Sequence, residues 1–273
     1  MERRSTQMDT TTHTNDSKMM RTAKISKPMR VVSARLDTAA GDSGHYAISP
    51  WCRSFGKRAF DLTLASMMTL LVLPLIPLIA IAVKLSSPGC VFFRQRRVGL
   101  DGVEFELLKF RTMIQNSQGG PGVTSSGDRR VTRVGQFLRK SKLDELPQLF
   151  CVLSGHMSLV GPRPDLPQYF VSLDKKYHEV LRLRPGLTGR ASVRFRNEEE
   201  ILSRVSPDEL ESFYVSTVFP WKIQLEMEYA ETASLWRDVI LLFQTFFRLF
   251  SMDTENLEQF RQGDPSPGPS TLC

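Results

Sequence analysis

The chain has 273 residues, 41% hydrophobic and 24% charged, with a formal net charge of +7. That length suits one catalytic domain with tails and argues against two full domains, while the positive balance points to anionic partners: nucleic acid, phospholipid headgroups or phosphorylated substrates. Four scattered cysteines (Cys52, Cys90, Cys151 and Cys273) form no C-x-x-C pair, which fits a reducing compartment and argues against a disulfide framework or a zinc site.

Residues 1–50 are rich in Ser, Thr, Asp, Lys and Arg and carry no sustained hydrophobic period, so a disordered tail is expected there. Residues 51–90 contain LTLASMMTLLVLPLIPLIAIAV, 22 uncharged residues between Asp61 and Lys84. A straight helix of that length reaches about 33 Å, enough to cross hydrocarbon. It lies too far along the chain for a signal peptide, and no A-x-A-like cleavage site follows it. Pro74 and Pro77 near its centre each remove a backbone donor and crowd the preceding turn, so a kink or break is expected. Arg53, Lys57 and Arg58 precede the run, and Lys84, Arg94, Arg96 and Arg97 follow it. Positive charge prefers the cytoplasmic side. A hairpin that enters the bilayer, turns at Pro74 and leaves on the same face satisfies both clusters. Ser66 or Thr69 hydroxyls could then serve the freed carbonyls. A single Pro-kinked transmembrane helix is the alternative.

Residues 91–252 read as the catalytic domain. VFFRQRRVG and VEFELLKFRTM are expected to be strands joined at Asp101-Gly102, a hairpin signal. The Gly/Ser-rich residues 115–128 are expected to form a mobile loop, and a helix is expected over Val134–Leu153. LWRDVILLFQTFFRLF, residues 235–250, has helical apolar spacing with Arg237 and Arg248 near the edges. It suits either the membrane interface or a helix packed on the core. Residues 253–273, ending in a Pro/Gly/Ser-rich stretch, are expected to be a second disordered tail.

In LRKSKLDELPQLF, Asp144 and Glu145 follow Arg139, Lys140 and Lys142. Adjacent acids on a helix point about 100° apart, so the two can take different roles, one bonding a substrate atom or metal and the other orienting. The neighbouring cations are expected to lower the carboxylate pKa and keep Asp144 ionised, as a nucleophile or Mg²⁺ ligand requires. A solvated helix face is the plain alternative. Further on, Arg163, Arg184, Arg190, Arg194 and Arg196 sit among Gly/Pro turns. Turn N–H groups and guanidinium forks both suit a diphosphate, although each arginine alone could be a surface ion pair. There is no Walker A or G-x-G-x-x-G fingerprint.

Several segments in order resemble the bacterial sugar transferase family, the monotopic phosphoglycosyl transferases: KRAFD (57–61), the Pro-centred apolar run, FFRQRRVG (92–99), FELLKFRTM (105–113), RVTRVGQFLRKSKLDELPQL (130–149), MSLVGPRP (157–164) and RPGLTG (184–189). The resemblance covers about Lys57 to Phe250. It implies an α+β fold, mainly α with a small β-hairpin. A re-entrant helix-break-helix segment would join a cytosolic catalytic domain with amphipathic interface helices. It further implies an enzyme of the bacterial inner membrane, catalytic domain facing the cytoplasm, that moves a sugar-1-phosphate from a UDP-sugar to undecaprenyl (polyprenyl) phosphate. UMP would leave, and the step would begin exopolysaccharide, O-antigen or capsule synthesis.

By matched motif, Asp144 would be the nucleophile that forms a covalent aspartyl-phosphosugar intermediate and would contact Mg²⁺, with Glu145 as base or orienting group. Arg139, Arg163 and Arg196 would hold phosphate or nucleotide, and Pro74 would break the membrane helix. The expected partners are the donor, the lipid acceptor and inner-membrane lipid, with no nucleic acid and a homodimer left open.

Three departures stand out. Leu73 precedes Pro74 where Ser-Pro is frequent, Cys151 and His156 replace Asn and Asp in CVLSGHMS, and no multi-span region precedes the motifs, as in a minimal member with an added tail. A membrane-anchored adaptor without activity is the competing reading, motivated by Cys151 and His156. A nucleic-acid-binding protein rests on net charge alone and has no fold signature behind it.

Overall fold

Ser54 starts the first long helix: its side-chain oxygen accepts the Lys57 N–H at 3.0 Å and satisfies one orphan donor of the N-terminus. The structure, a computed structural model, describes residues 47–114, 124, 127–171, 175–206 and 208–248. Most of the expected N-terminal tail, most of the expected loop at 115–128 and all of the expected C-terminal tail lie outside the described residues.

Helix α1 runs over Phe55–Val72 and α2 over Leu75–Ser86, bent by 60° at Leu73 and Pro74. The Leu73 N–H still bonds the Thr69 carbonyl at 2.9 Å. Pro74 has no N–H to continue the ladder, so the chain turns there. The anticipated hydroxyl rescue is not observed, since Thr69 Oγ1 is buried without a hydrogen-bond partner and Ser66 is exposed. Among the described residues no single helix is long and apolar enough to cross a membrane, and the bent pair passes that test only together. By helical rise α1 extends about 27 Å and α2 only about 18 Å.

Both ends of the pair are fastened to the same body. Arg58 on α1 donates to the carbonyls of Val152 at 2.9 Å and Leu153 at 3.2 Å. At the end of α2, Arg111 donates to the carbonyls of Ser87 at 2.6 Å and Pro88 at 2.7 Å.

The hairpin forms as its turn signal anticipates. Strand β1, Phe92–Val98, pairs antiparallel with β2, Glu104–Phe110, with Phe92 opposite Phe110. Asp101 and Gly102 adopt φ of +54° and +73°, the left-handed conformations that Asp-Gly supplies.

The continuous helix expected over Val134–Leu153 is broken into three pieces: helix α3 at Arg133–Ser141, a 3₁₀ turn at Leu143–Glu145, and helix α4 at Gln148–Leu153. Lys142, at φ +57°, ends α3, and Pro147 stands before α4. Hydrophobic spacing alone could not reveal this, because the apolar residues keep helical intervals through the break. A second sheet was not anticipated: β3, Ser158–Val160, pairs in parallel with β4, Gly186–Thr188. Its strands are too short to display an alternating pattern.

Helices α5 (Arg190–Arg194) and α6 (Glu198–Leu202) follow, and a short helical turn at Leu210–Phe213 with a π-helical turn at Tyr214–Val218 leads into α7 (Phe219–Thr232) and α8 (Leu235–Arg248). The fold is therefore mainly helical with two small sheets. One core cluster gathers Tyr169, Phe170, Tyr214, Phe219 and Met227. Another joins Ala65, Leu107, Val152, Leu159, Tyr229 and Leu241, locking α1, β2, α4 and α8 together. The last helix packs on the core through one face. Asp238 and Leu241 of α8 are buried against the body, whereas Trp236, Ile240, Phe243 and Phe247 stay exposed.

Candidate active site

Gly135 sets the geometry of the site. A Cβ there would collide with the Thr112 carbonyl, so α3 can lie directly on that backbone only because the residue is glycine. One turn later Arg139 donates through Nε to Thr112 Oγ1 at 2.9 Å and through Nη1 to Glu199 at 3.0 Å. Lys142 then reverses the chain. A non-glycine residue at positive φ costs on the order of 1–3 kcal/mol and persists only where surrounding contacts impose it. The reversal turns Asp144 inward, while Leu143 and Leu146 pack with Val83, Phe110 and Leu138, the cluster that also receives α2. The acidic pair is thus presented by a strained turn next to the bent apolar segment, not by the face of a regular helix.

Asp144 and Glu145 line a cavity of about 880 Å³ together with Lys109, Arg139, Lys142, Arg163 and Arg196. Glu145 Oε1 accepts from Lys109 Nζ at 3.1 Å and from Arg163 Nη2 at 2.8 Å. Although burial opposes its charge, Arg163, Lys109 and Lys142 hold the Glu145 carboxyl well below the usual carboxylate range. Asp144 behaves in the opposite way. Burial first, and then the Glu145 charge, push its pKa up to about 6. The sequence-based expectation that neighbouring cations would lower it is therefore corrected: the Lys109 and Arg163 donors are spent on Glu145, and Asp144 Oδ1 is buried without a hydrogen-bond partner.

Of the five turn arginines, Arg163 and Arg196 reach this cavity. Arg184 donates to the Gly155 carbonyl at 3.0 Å, and Arg190 pairs with Glu228 at 3.0 Å. The turn N–H groups expected to cradle a diphosphate are otherwise engaged. Gly161 N–H bonds Thr188 O at 2.9 Å and Gly186 N–H bonds Pro162 O at 2.8 Å, so the two glycine/proline turns zip together into the β3–β4 pair. Pro74 sits at the helix bend and does not line the cavity.

Lys109 is a site residue that the sequence reading missed. Its signal was a lysine inside the apolar strand ELLKF, where a solvent-facing charge was the simpler assumption. The two departures from the family pattern fall elsewhere. Cys151 is buried in the core, and His156 is exposed, with Nδ1 2.8 Å from Ser154 Oγ and its ring stacked on Phe105. Neither lines the cavity.

Among the described residues no cluster of three or more His, Cys, Asp or Glu side chains could form a ready-made metal cage. Mg²⁺ rarely needs one, since it commonly takes one or two carboxylates and completes its shell with water and substrate phosphates. Asp144, which lines a cationic cavity and has one oxygen without a hydrogen-bond partner, fits that mode.

Comparison with known proteins bears on the same residues. A family described as bacterial sugar transferase matches residues 52–252. The chain is 41% identical over 203 residues to a UDP-glucose:undecaprenyl-phosphate glucose-1-phosphate transferase of Caulobacter vibrioides, covering 72% of this chain and 70% of that protein. A protein of the same description from Escherichia coli is 38% identical over 204 residues, which are 71% of this chain but only 40% of that longer relative. The exopolysaccharide production protein ExoY of Rhizobium meliloti is 36% identical over 205 residues, 69% of this chain and 83% of the relative.

Proposed function

The chain belongs to the bacterial sugar transferase family, and from that premise we propose that it transfers a sugar-1-phosphate from a UDP-sugar to undecaprenyl phosphate, releasing UMP, for exopolysaccharide synthesis. The observation that carries this reading is Asp144: a buried carboxylate with one unpartnered oxygen, facing a cationic cavity beside a bent apolar helix pair.

In the proposed sequence a carboxylate oxygen of Asp144 attacks the β-phosphorus of the donor. An aspartyl–phosphosugar bond forms, the bond to UMP breaks, and UMP leaves with that electron pair. A phosphate oxygen of undecaprenyl phosphate then attacks the same phosphorus and returns Asp144 as a free carboxylate. Covalent catalysis divides one difficult transfer into two easier ones. Glu145 is the orienting group. Held ionised by Lys109 and Arg163, it is too weak a base to remove protons and instead fixes both cations where phosphate charge develops. Arg139, Arg163 and Arg196 are the candidates for holding donor phosphates. Mg²⁺, bound by Asp144 and the diphosphate, would offset the repulsion between carboxylate and donor.

The helix pair supplies the lipid side. α2 at about 18 Å is too short for a hydrocarbon core of about 30 Å, and both ends of the pair are tied to the same body by Arg58 and Arg111. A segment that enters and leaves one leaflet satisfies both observations, with the basic flanks and the catalytic domain on the cytoplasmic face of the inner membrane. The exposed apolar stripe of α8 would rest in the same interface.

The purified chain, given UDP-sugar without acceptor, should release UMP once per active site and gain the mass of a phosphosugar. Adding undecaprenyl phosphate should discharge the adduct and start turnover. Turnover without any adduct under rapid quench would rule out the covalent route, and no UMP release from any UDP-sugar would reject the reading in favour of an inactive membrane adaptor.

A further inference from the structure

The cavity lining holds two adjoining groups of different charge balance. Around Asp144 and Glu145 cations are in excess, with Lys109, Arg139, Lys142, Arg163 and Arg196 lining the wall. The second group is Asp165, Glu198, Tyr214 and Lys222 with Arg97 and Tyr169, in which two carboxylates accompany two cations. These groups are linked: Lys222 Nζ donates to Tyr214 Oη at 3.0 Å and to Glu198 at 3.2 Å, and Tyr214 Oη donates to Asp165 at 3.3 Å. Lys222 and Asp165 are 3% and 5% exposed.

A buried ion pair is a poor way to stabilise a fold, because apolar residues of similar volume often do as well or better. Two further atoms are left wanting partners. Tyr169 Oη and Arg97 Nε are buried without a hydrogen bond, and Tyr169 is only 3% exposed. A diphosphate would be drawn to the cationic group. The balanced group suits an uncharged ligand whose closely spaced hydroxyls can both donate to carboxylates and accept from Lys222, Arg97 or a tyrosine.

Resting on the transferase reading above, we propose that Asp165, Glu198, Tyr214 and Lys222, with the Tyr169 hydroxyl, receive the hexose of the donor and determine which sugar is accepted. A site that hydrogen-bonds substrate hydroxyls discriminates far more strongly than an apolar one, because the wrong epimer leaves buried polar groups unpaired.

The test uses the full chain in lipid nanodiscs with undecaprenyl phosphate, comparing UMP release from UDP-glucose, UDP-galactose and their N-acetyl counterparts. Glu198→Gln and Tyr214→Phe each remove one charge or hydroxyl and little volume. Both should change the ratio of kcat/KM between epimeric donors by tenfold or more, while inhibition by UMP moves less than twofold. Equal losses for all donors, or UMP inhibition weakening in step, would overturn the assignment; the second result would mean that the wall holds the nucleoside. Calorimetry on Asp144→Asn protein reads the wall without turnover: UDP-sugar should bind more tightly than UDP, and adding Glu198→Gln should erase the difference. Equal affinities before that change would also overturn it. Absence of UMP release would sink the transferase reading while leaving this binding experiment decisive for the wall.

Discussion

Two buried charged clusters differ in how completely their charges are answered. At the foot of α1, Lys57 Nζ lies 2.9 Å from Asp238 and 3.5 Å from Asp61. Asp61 also accepts from Ser158 Oγ and the Leu159 N–H, and Asp238 accepts from Trp51 Nε1 at 2.8 Å and Tyr229 Oη at 2.7 Å. Every carboxylate oxygen there has a partner, and the network fastens α1, β3, α7 and α8 into one frame. At the other cluster Glu145 is answered twice, while Asp144 keeps an orphan oxygen and a raised pKa. A closed network holds parts in register, whereas an unanswered buried group awaits a ligand. KRAFD and LDEL both place charge inside the protein, and on the proposed reading the first serves as scaffold and the second as chemistry.

The contrast breaks most sharply at Asp144. Asp144→Asn should lower UMP turnover about a thousandfold or more, roughly 4 kcal/mol of barrier, with little change in melting temperature. At limiting Mg²⁺, UMP release by the unaltered protein should fall on the acidic side with an apparent pKa approaching 6, because protonation removes the nucleophile, and raising Mg²⁺ should move that limb to lower pH. A profile flat down to pH 5 would argue against that role. Lys57→Met should do the reverse, costing about 3–5 kcal/mol of stability in denaturant titration by stranding two buried carboxylates. Residual folded protein should still form the adduct. Comparable stability of Lys57→Met and the parent would mean that the network is not a frame.

Glu226 is an intermediate case. Its Oε1 accepts from the Ala191 N–H at 3.0 Å, its Oε2 has no partner, and burial raises its pKa to about 8. A raised carboxyl binds its proton more tightly when folded. Its stabilising contribution is therefore complete below the unfolded value near 4.5 and is lost as pH rises through about 8. Glu226→Gln should flatten that decline, worth on the order of a few kcal/mol at the alkaline end, as read by melting temperature against pH. The smallest effect belongs to His156→Asp, which restores the family residue at an exposed position. It should change stability by about 0.5 kcal/mol or less and leave turnover unaltered.

Much of the layout of the candidate site was legible in the chain itself. Asp-Gly at 101–102 demanded a hairpin, Pro74 a break in the apolar run, and the order of the motifs the acidic pair with Arg139, Arg163 and Arg196 in one cavity. Those features depend on local backbone rules or on residue identity. The straight helix through Asp144 failed because nothing in the periodicity announces that Lys142 must adopt positive φ. That conformation is imposed by packing of Leu143 and Leu146 against α2. Lys109 went unnoticed for a similar reason, since its partner Glu145 is 36 residues away.

Sequence therefore determined the elements that short-range sterics and charge can dictate: which segments are apolar, where the backbone breaks, and where ionisable side chains cluster along the chain. Tertiary structure decided which charges meet. It closed the Lys57–Asp61–Asp238 network across 181 residues, turned two anion-binding candidates into a β-pair, and left one Asp144 oxygen without a partner. The physical reason is desolvation. A carboxylate acquires its pKa and its reactivity from what surrounds it after burial, and that environment is assembled from distant parts of the chain.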